Sequence, residues 1–131
     1  QVIGYLKTYG FEEELIYSPV GNLSGGEKNL LQLAKISRTD ANLLLLDEPT
    51  SALDSFTTAS ILELLQDLNK RMGITIVIIT HEIGVVERVC NKTAVLDLSR
   101  VAEQGYTSEV MANPRAEATR RLLGLGGGFH G

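Results

Sequence analysis

Two aliphatic runs constrain the fold of this chain more than any other feature. Leu43-Leu44-Leu45-Leu46 and Ile74-Thr75-Ile76-Val77-Ile78-Ile79 carry no charge, and each stops at polar residues, Asp47-Glu48 and Thr80-His81-Glu82. Runs of this length, bounded this way, read as strands buried on both faces. Between them, residues 57–71 place Ile61, Leu64, Leu65 and Leu68 at helical spacing, and Gly73 closes the helix. A short helix follows, with Val85, Val86, Val89 and Cys90 inward. A third strand over Thr93–Leu96 and a fourth over Arg100–Glu103 come next, then helices at 107–112 and 115–123 around Asn113-Pro114. Strand, helix, strand, helix, strand predicts an α/β fold built on a parallel sheet with right-handed crossovers. Ligands of such sheets sit beyond the carboxyl ends of the strands, where both polar clusters fall, so the pattern predicts one shared site.

Upstream, residues 2–9 suit a short amphipathic helix ended by Gly10, and residues 12–23 a loop broken by Pro19 and Gly21-Asn22. A helix is expected from Ser24 to about Ser37, with Leu30, Leu33, Ala34 and Ser37 on one face. Gln1 opens the chain inside a helical pattern, as expected of a segment of something longer. Residues 124–131 form a Gly-rich tail without periodicity, expected to be flexible.

Composition excludes several classes. At 131 residues the chain supports one modest domain, and its net charge of −4 with interspersed signs gives no basic face and no direct nucleic-acid footprint. No apolar run is long enough to span a bilayer, and no secretory pattern opens the chain. Cys90 is the only cysteine, so no internal disulfide forms; it reads as a small core residue. His130 in the tail reads as inert. These features suit a cytoplasmic protein and leave docking onto a membrane partner open.

Four groups of residues carry chemistry. Ser24-Gly25-Gly26-Glu27 starts a helix. A capping box explains Ser24 and Glu27, whereas the two glycines fit a helix N-terminus that offers bare N–H groups to an anion. Asp47-Glu48 follows the leucine run; at a strand end both acids can face a site, one holding Mg²⁺ and the other activating a water. The plainer alternative is two solvated acids in a turn before Pro49. Asp54 or Ser55 should cap the next helix. His81 is either a cap or core residue, or a polar contact to a phosphate oxygen.

The order and spacing of these groups are more telling than each alone. LSGGEK at 23–28, LLLLDEPTSALD at 43–54 and ITIVIITHE at 74–82 resemble the ATP-binding-cassette (ABC) ATPase family over about Val2 to Leu123. The resemblance implies part of a P-loop NTPase, RecA-like, parallel sheet with flanking helices, plus the end of the ABC helical subdomain. Residues 1–123 would be the C-terminal part of one nucleotide-binding domain, with 1–37 ending the helical subdomain and 42–123 belonging to the core. It further implies ATP and Mg²⁺ as cofactors and a second ABC ATPase domain as dimer partner. Ser24, Gly25 and Gly26, with Glu27 in the same loop, would meet the γ-phosphate of ATP held by the opposing domain. Asp47 would organise Mg²⁺, Glu48 would be the general base, and His81 would sense the γ-phosphate and steady Glu48. Asp54 would couple the two sites across the dimer.

Residues 50–114 resemble the methionine-importer ATPase subunit, which implies a transmembrane permease partner and a peripheral position on the inner face of the cell membrane. Residues 1–49 resemble the ABC-F class, which implies the ribosome as partner and a chimera with its seam near Pro49. A non-enzymatic half-domain is the third reading. Leu30 stands where the family commonly has Arg, and Ser99 replaces a common turn Gly. No G-x-x-x-x-G-K-[ST] phosphate loop occurs. The chain by itself is therefore expected to be inactive.

Overall fold

The computed structural model describes residues 25–36 and 38–125. The expected helix over 2–9, the loop over 12–23, Ser24, Ser37, His130 and most of the Gly-rich tail lie outside the described residues. Two compact units divide between Ile79 and Thr80.

The first unit is built from α1 (Gly25–Ile36), β1 (Leu43–Asp47), α2 (Ser55–Met72) and β2 (Thr75–Ile79). The two strands pair in parallel, with Leu44 beside Ile76, Leu45 beside Val77 and Asp47 beside Ile79. The ladder is continued at both ends, by Thr75 N–H to the Asn42 carbonyl at 2.9 Å and by Glu48 N–H to the Ile79 carbonyl at 2.7 Å. The connecting helix forms where its apolar stripe predicts. Ile61, Leu62, Leu65 and Leu68 are buried, and so are Leu44, Ile74 and the α1 residues Leu33 and Ala34. The helix ends at Gly73, whose φ of 67° places it in the left-handed region while its N–H bonds the Asn69 carbonyl. That conformation favours a residue without Cβ. The Asn69 side chain then donates to the Ile74 carbonyl at 2.8 Å, tying the helix end to the start of β2.

Burial of the strands differs from expectation. Leu43, Leu45, Val77 and Ile79 are all exposed. They share one face because side chains alternate along a strand and the register aligns the pairs. Only the opposite face of the sheet is covered, by α2.

The second unit contains α3 (Ile83–Val89), β3 (Lys92–Asp97), β4 (Arg100–Tyr106), α4 (Thr107–Ala112) and α5 (Glu117–Leu122). Here the sequence expectation of a third parallel strand fails. β3 pairs antiparallel with β4 in a separate two-stranded sheet. The connection is too short for anything else, since a tight turn joins only antiparallel neighbours. Leu98 and Ser99 both have positive φ, 48° and 61°, the pattern a primed hairpin turn requires at its central residues. Burial alternates along β3, with Val95 buried between the exposed Ala94 and Leu96, as in a sheet covered on one side. Val95, Val110 and Ala118 form the core of this unit. Cys90 is the residue that caps α3 at its C-terminus and is only half-buried; burial raises its thiol pKa.

One carboxylate holds the closing helices to the hairpin. Glu103 on β4 accepts from the N–H groups of Arg115 and Ala116 and from the Thr119 hydroxyl, at 2.7 to 3.0 Å. It thus satisfies donors at the start of α5 from another element. These bonds, led by those from the Ala116 and Arg115 N–H groups, lower the Glu103 pKa. A carboxylate whose folded pKa is lowered contributes stability above its unfolded pKa and loses it as pH falls through the folded value. Acid titration followed by circular dichroism should therefore show helix loss that is smaller in Glu103→Gln than in the parent. An identical acid limb in both proteins would show that Glu103 is not responsible.

Candidate functional site

The site begins with the way β1 ends. A strand alternates its side chains, so consecutive acids in a continuing strand would point to opposite faces. Asp47 is the last strand residue and is exposed. Glu48 leaves the strand with φ of 47°. A non-glycine residue in this region costs free energy, on the order of 1–3 kcal/mol, and persists only where its surroundings hold it. Here the hold includes the ladder bond from its N–H to the Ile79 carbonyl at 2.7 Å and the bond its own carbonyl accepts from Ser51 N–H at 3.3 Å. The turn redirects the side chain, and its Oε2 is closed off from solvent. Thr50 behind it is buried, at 3% exposure.

Asp47 and Glu48 line a cleft of about 230 Å³ within the first unit. Leu33, Leu46 and Ile61 contribute apolar walls, and Asn29 and Gln32 of α1 add carboxamides. Asp47 and Glu48 both line this one cleft. Asn29 and Gln32 were not singled out by the sequence. Their signal was there: positions 29, 32, 33 and 36 share a helix face, and that face carries amides beside Leu33 and Ile36.

The remaining sequence candidates have local roles. Gly25, Gly26 and Glu27 are the first residues of α1, which matches the expected helix start. Asp54 is the N-cap of α2, accepting from Thr57 N–H at 2.7 Å and from the Thr57 hydroxyl at 2.9 Å. Those two bonds, the backbone one first, hold its carboxyl below the usual range. His81 is exposed and lies in the second unit, in the short link between β2 and α3. It does not cap α3: that position belongs to Glu82, whose N–H bonds the Thr80 hydroxyl at 3.0 Å.

Among the described residues there is no group of three or more His, Cys, Asp or Glu able to hold a metal. The donor set at the end of β1 nevertheless suits Mg²⁺. That ion keeps several waters and is commonly held by one or two carboxylates together with phosphate oxygens, and the exposed Asp47 is a carboxylate of that kind. Also among the described residues, no helix is long and apolar enough to cross a membrane.

Comparison with known proteins identifies what the chain is similar to. A family model described as ABC transporter matches residues 1–51. The methionine import ATP-binding protein MetN of Haemophilus influenzae is 42% identical over 123 residues, covering 94% of this chain and 35% of the relative. MetN of Haemophilus ducreyi is 47% identical over 102 residues, 78% of this chain and 30% of that protein. The chain therefore spans about a third of the length of these relatives. Among solved structures, cbiO1 of Clostridium perfringens, part of the ABC transporter complex cbiONQ, superposes with a TM-score of 0.74 at 35% identity, over 91% of this chain and 47% of that one. The dimeric ABC transporter cassette MJ0796 gives 0.65 at 32% identity, over 79% and 44%. An alignment covering 94% of the chain extends to both sides of Pro49, so the similarity to MetN needs no seam there. The separate resemblance of residues 1–49 to ABC-F proteins gains no support.

Proposed function

We propose that this chain, a segment of an ABC transporter ATPase domain, carries the signature loop and catalytic carboxylates of an ATPase that powers import of methionine or a related amino acid. The observation that carries the proposal is the end of β1, where the exposed Asp47 and the turned Glu48 line one cleft. Similarity to methionine import ATP-binding proteins supports the transported class.

In this reading Glu48 takes a proton from the attacking water at its carboxylate, and the backbone turn at φ 47° sets where its side chain leaves the end of β1. Asp47 holds Mg²⁺, which when bound neutralises charge on the phosphate oxygens. Ser24, Gly25 and Gly26 contact the γ-phosphate of ATP on an opposing domain, Glu27 belongs to the same loop, and Asp54 links the two sites. His81 contacts the γ-phosphate. The partners are a second ATPase domain and a transmembrane permease, with the ATPase on the cytoplasmic face of the membrane. Residues 1–37 end the helical subdomain, and 42–123 belong to the nucleotide-binding core.

Catalysis of this kind rests on positioning and charge stabilisation around the phosphates. Residues 1–131 contain no G-x-x-x-x-G-K-[ST] loop. Phosphate release should accordingly be detectable with Mg²⁺ and ATP in the full-length protein and absent from residues 1–131 alone. Glu48-dependent turnover by the isolated chain would overturn this assignment of parts.

A further inference from the structure

We infer that the open face of the β1–β2 sheet is an internal packing surface, covered in the full-length protein by polypeptide outside residues 1–131 that lays an apolar helix face against Leu45 and Val77.

The sheet itself sets the need. Leu43, Leu45, Val77 and Ile79 stand on one face at 44 to 62% exposure. The register puts Leu45 directly beside Val77 at the middle of that face. Only the opposite face is buried, Leu44 and Ile74 lying in one core with Ile61, Leu62, Leu65 and Leu68 of α2. Parallel sheets occur almost only with both faces covered. A pair of strands is also marginal by itself, and among the described residues β1 and β2 pair only with each other. Each therefore keeps one edge of unpaired backbone groups.

Both needs have one natural source. The crossover from β1 through α2 to β2 supplies a helix to one face. A right-handed crossover that runs the other way along the sheet puts its helix on the opposite face, and it also brings a strand to a free edge. There is polypeptide enough to do this. The chain covers 47% of cbiO1 and 44% of MJ0796, so more than half of each solved cassette lies beyond what it matches.

Other occupants fit less well. Residues 39–53 and 74–87, which carry the two strands and their ends, contain no Lys or Arg, and Asp40, Asp47 and Glu48 flank β1. An apolar patch that binds an anionic lipid surface is rimmed by bases, not acids. A second copy of the chain stacked on the face would cover it but leave the strand edges of both copies unpaired.

The test labels cysteines placed on the face of the full-length protein. Leu45→Cys and Val77→Cys are made separately, with the native cysteines replaced by Ser, and treated with a thiol reagent. Each should react roughly 100-fold or more slowly in native protein than in urea, because a covered side chain waits for local opening. Reaction within a few-fold of the urea rate overturns the inference. Protection that disappears on dilution would assign the face to a second copy, and protection that appears only with anionic vesicles would assign it to a membrane; either result overturns it as well. A second arm decides the matter if the cysteine variants do not fold. Leu45→Met should keep the urea midpoint of the full-length protein near that of the parent, whereas Leu45→Asp should lower it or abolish soluble expression, since a covered charge has no partner there. Equal midpoints for Leu45→Met and Leu45→Asp overturn the inference. Neither arm reads ATP turnover, so failure here and failure of the ATPase reading are separately visible.

Discussion

Replacing Glu48 by Gln in the full-length protein should lower Mg²⁺-dependent ATP hydrolysis by roughly 10²- to 10⁴-fold, the contribution typical of a positioned general base. Glutamine nearly matches the shape of glutamate but cannot take a proton at neutral pH. The backbone turn at φ 47° does not depend on the charge, and neither does the bond from its N–H to the Ile79 carbonyl. The variant should therefore fold as the parent does and bind ATP with similar affinity, with the loss confined to turnover. Asp47→Asn tests the neighbouring role. It should raise the Mg²⁺ concentration needed for half-maximal activity, whereas Glu48→Gln should not. Phosphate release measured across a Mg²⁺ series separates the two. Activity of Glu48→Gln within a few-fold of the parent would remove Glu48 from the role of base.

Leu65→Ala should be strongly destabilising, costing about 2–5 kcal/mol. Leu65 is 2% exposed and sits between Leu62 and Leu68 on the stripe that α2 turns toward the sheet. Removing its side chain opens a cavity among residues that are themselves almost fully enclosed, and a helix pinned at both ends cannot collapse to fill it. Leu45→Ala is the control. It is the same chemical change on the open face of β1, where Leu45 is 62% exposed. It should cost no more than about 0.5 kcal/mol, as surface substitutions do. Chemical denaturation of the 131-residue chain compares the two. Equal losses would show that the open face is covered in solution.

The contrast between those leucines also marks how far sequence alone reaches. Helical spacing of Ile61, Leu64, Leu65 and Leu68 located α2 and Gly73 its end, although the buried face takes Leu62 and leaves Leu64 half-buried. The aliphatic runs located both parallel strands. What the runs could not reveal is which faces would be covered. A strand with every position apolar carries no alternation to read, so Leu43 and Leu45 look the same in sequence as Leu44. The antiparallel hairpin was missed for a related reason. Its turn, Leu98-Ser99, lacks the Gly or Asn that usually marks positive φ, and the strand before it was read as continuing the parallel pattern.

Of the site, the sequence by itself determined the chemistry: which residues are acids, where the strands end, and the order of motifs that matches the ABC family. These are properties of side-chain type and spacing along one chain. The backbone turn at Glu48 comes from the fold, because a strained φ persists only where surrounding structure holds it. The tertiary structure also decided that Asn29 and Gln32 share a cleft with the two carboxylates. That grouping joins residues some fifteen to twenty positions apart in the chain. It exists only because α1, the end of β1 and α2 pack around one core.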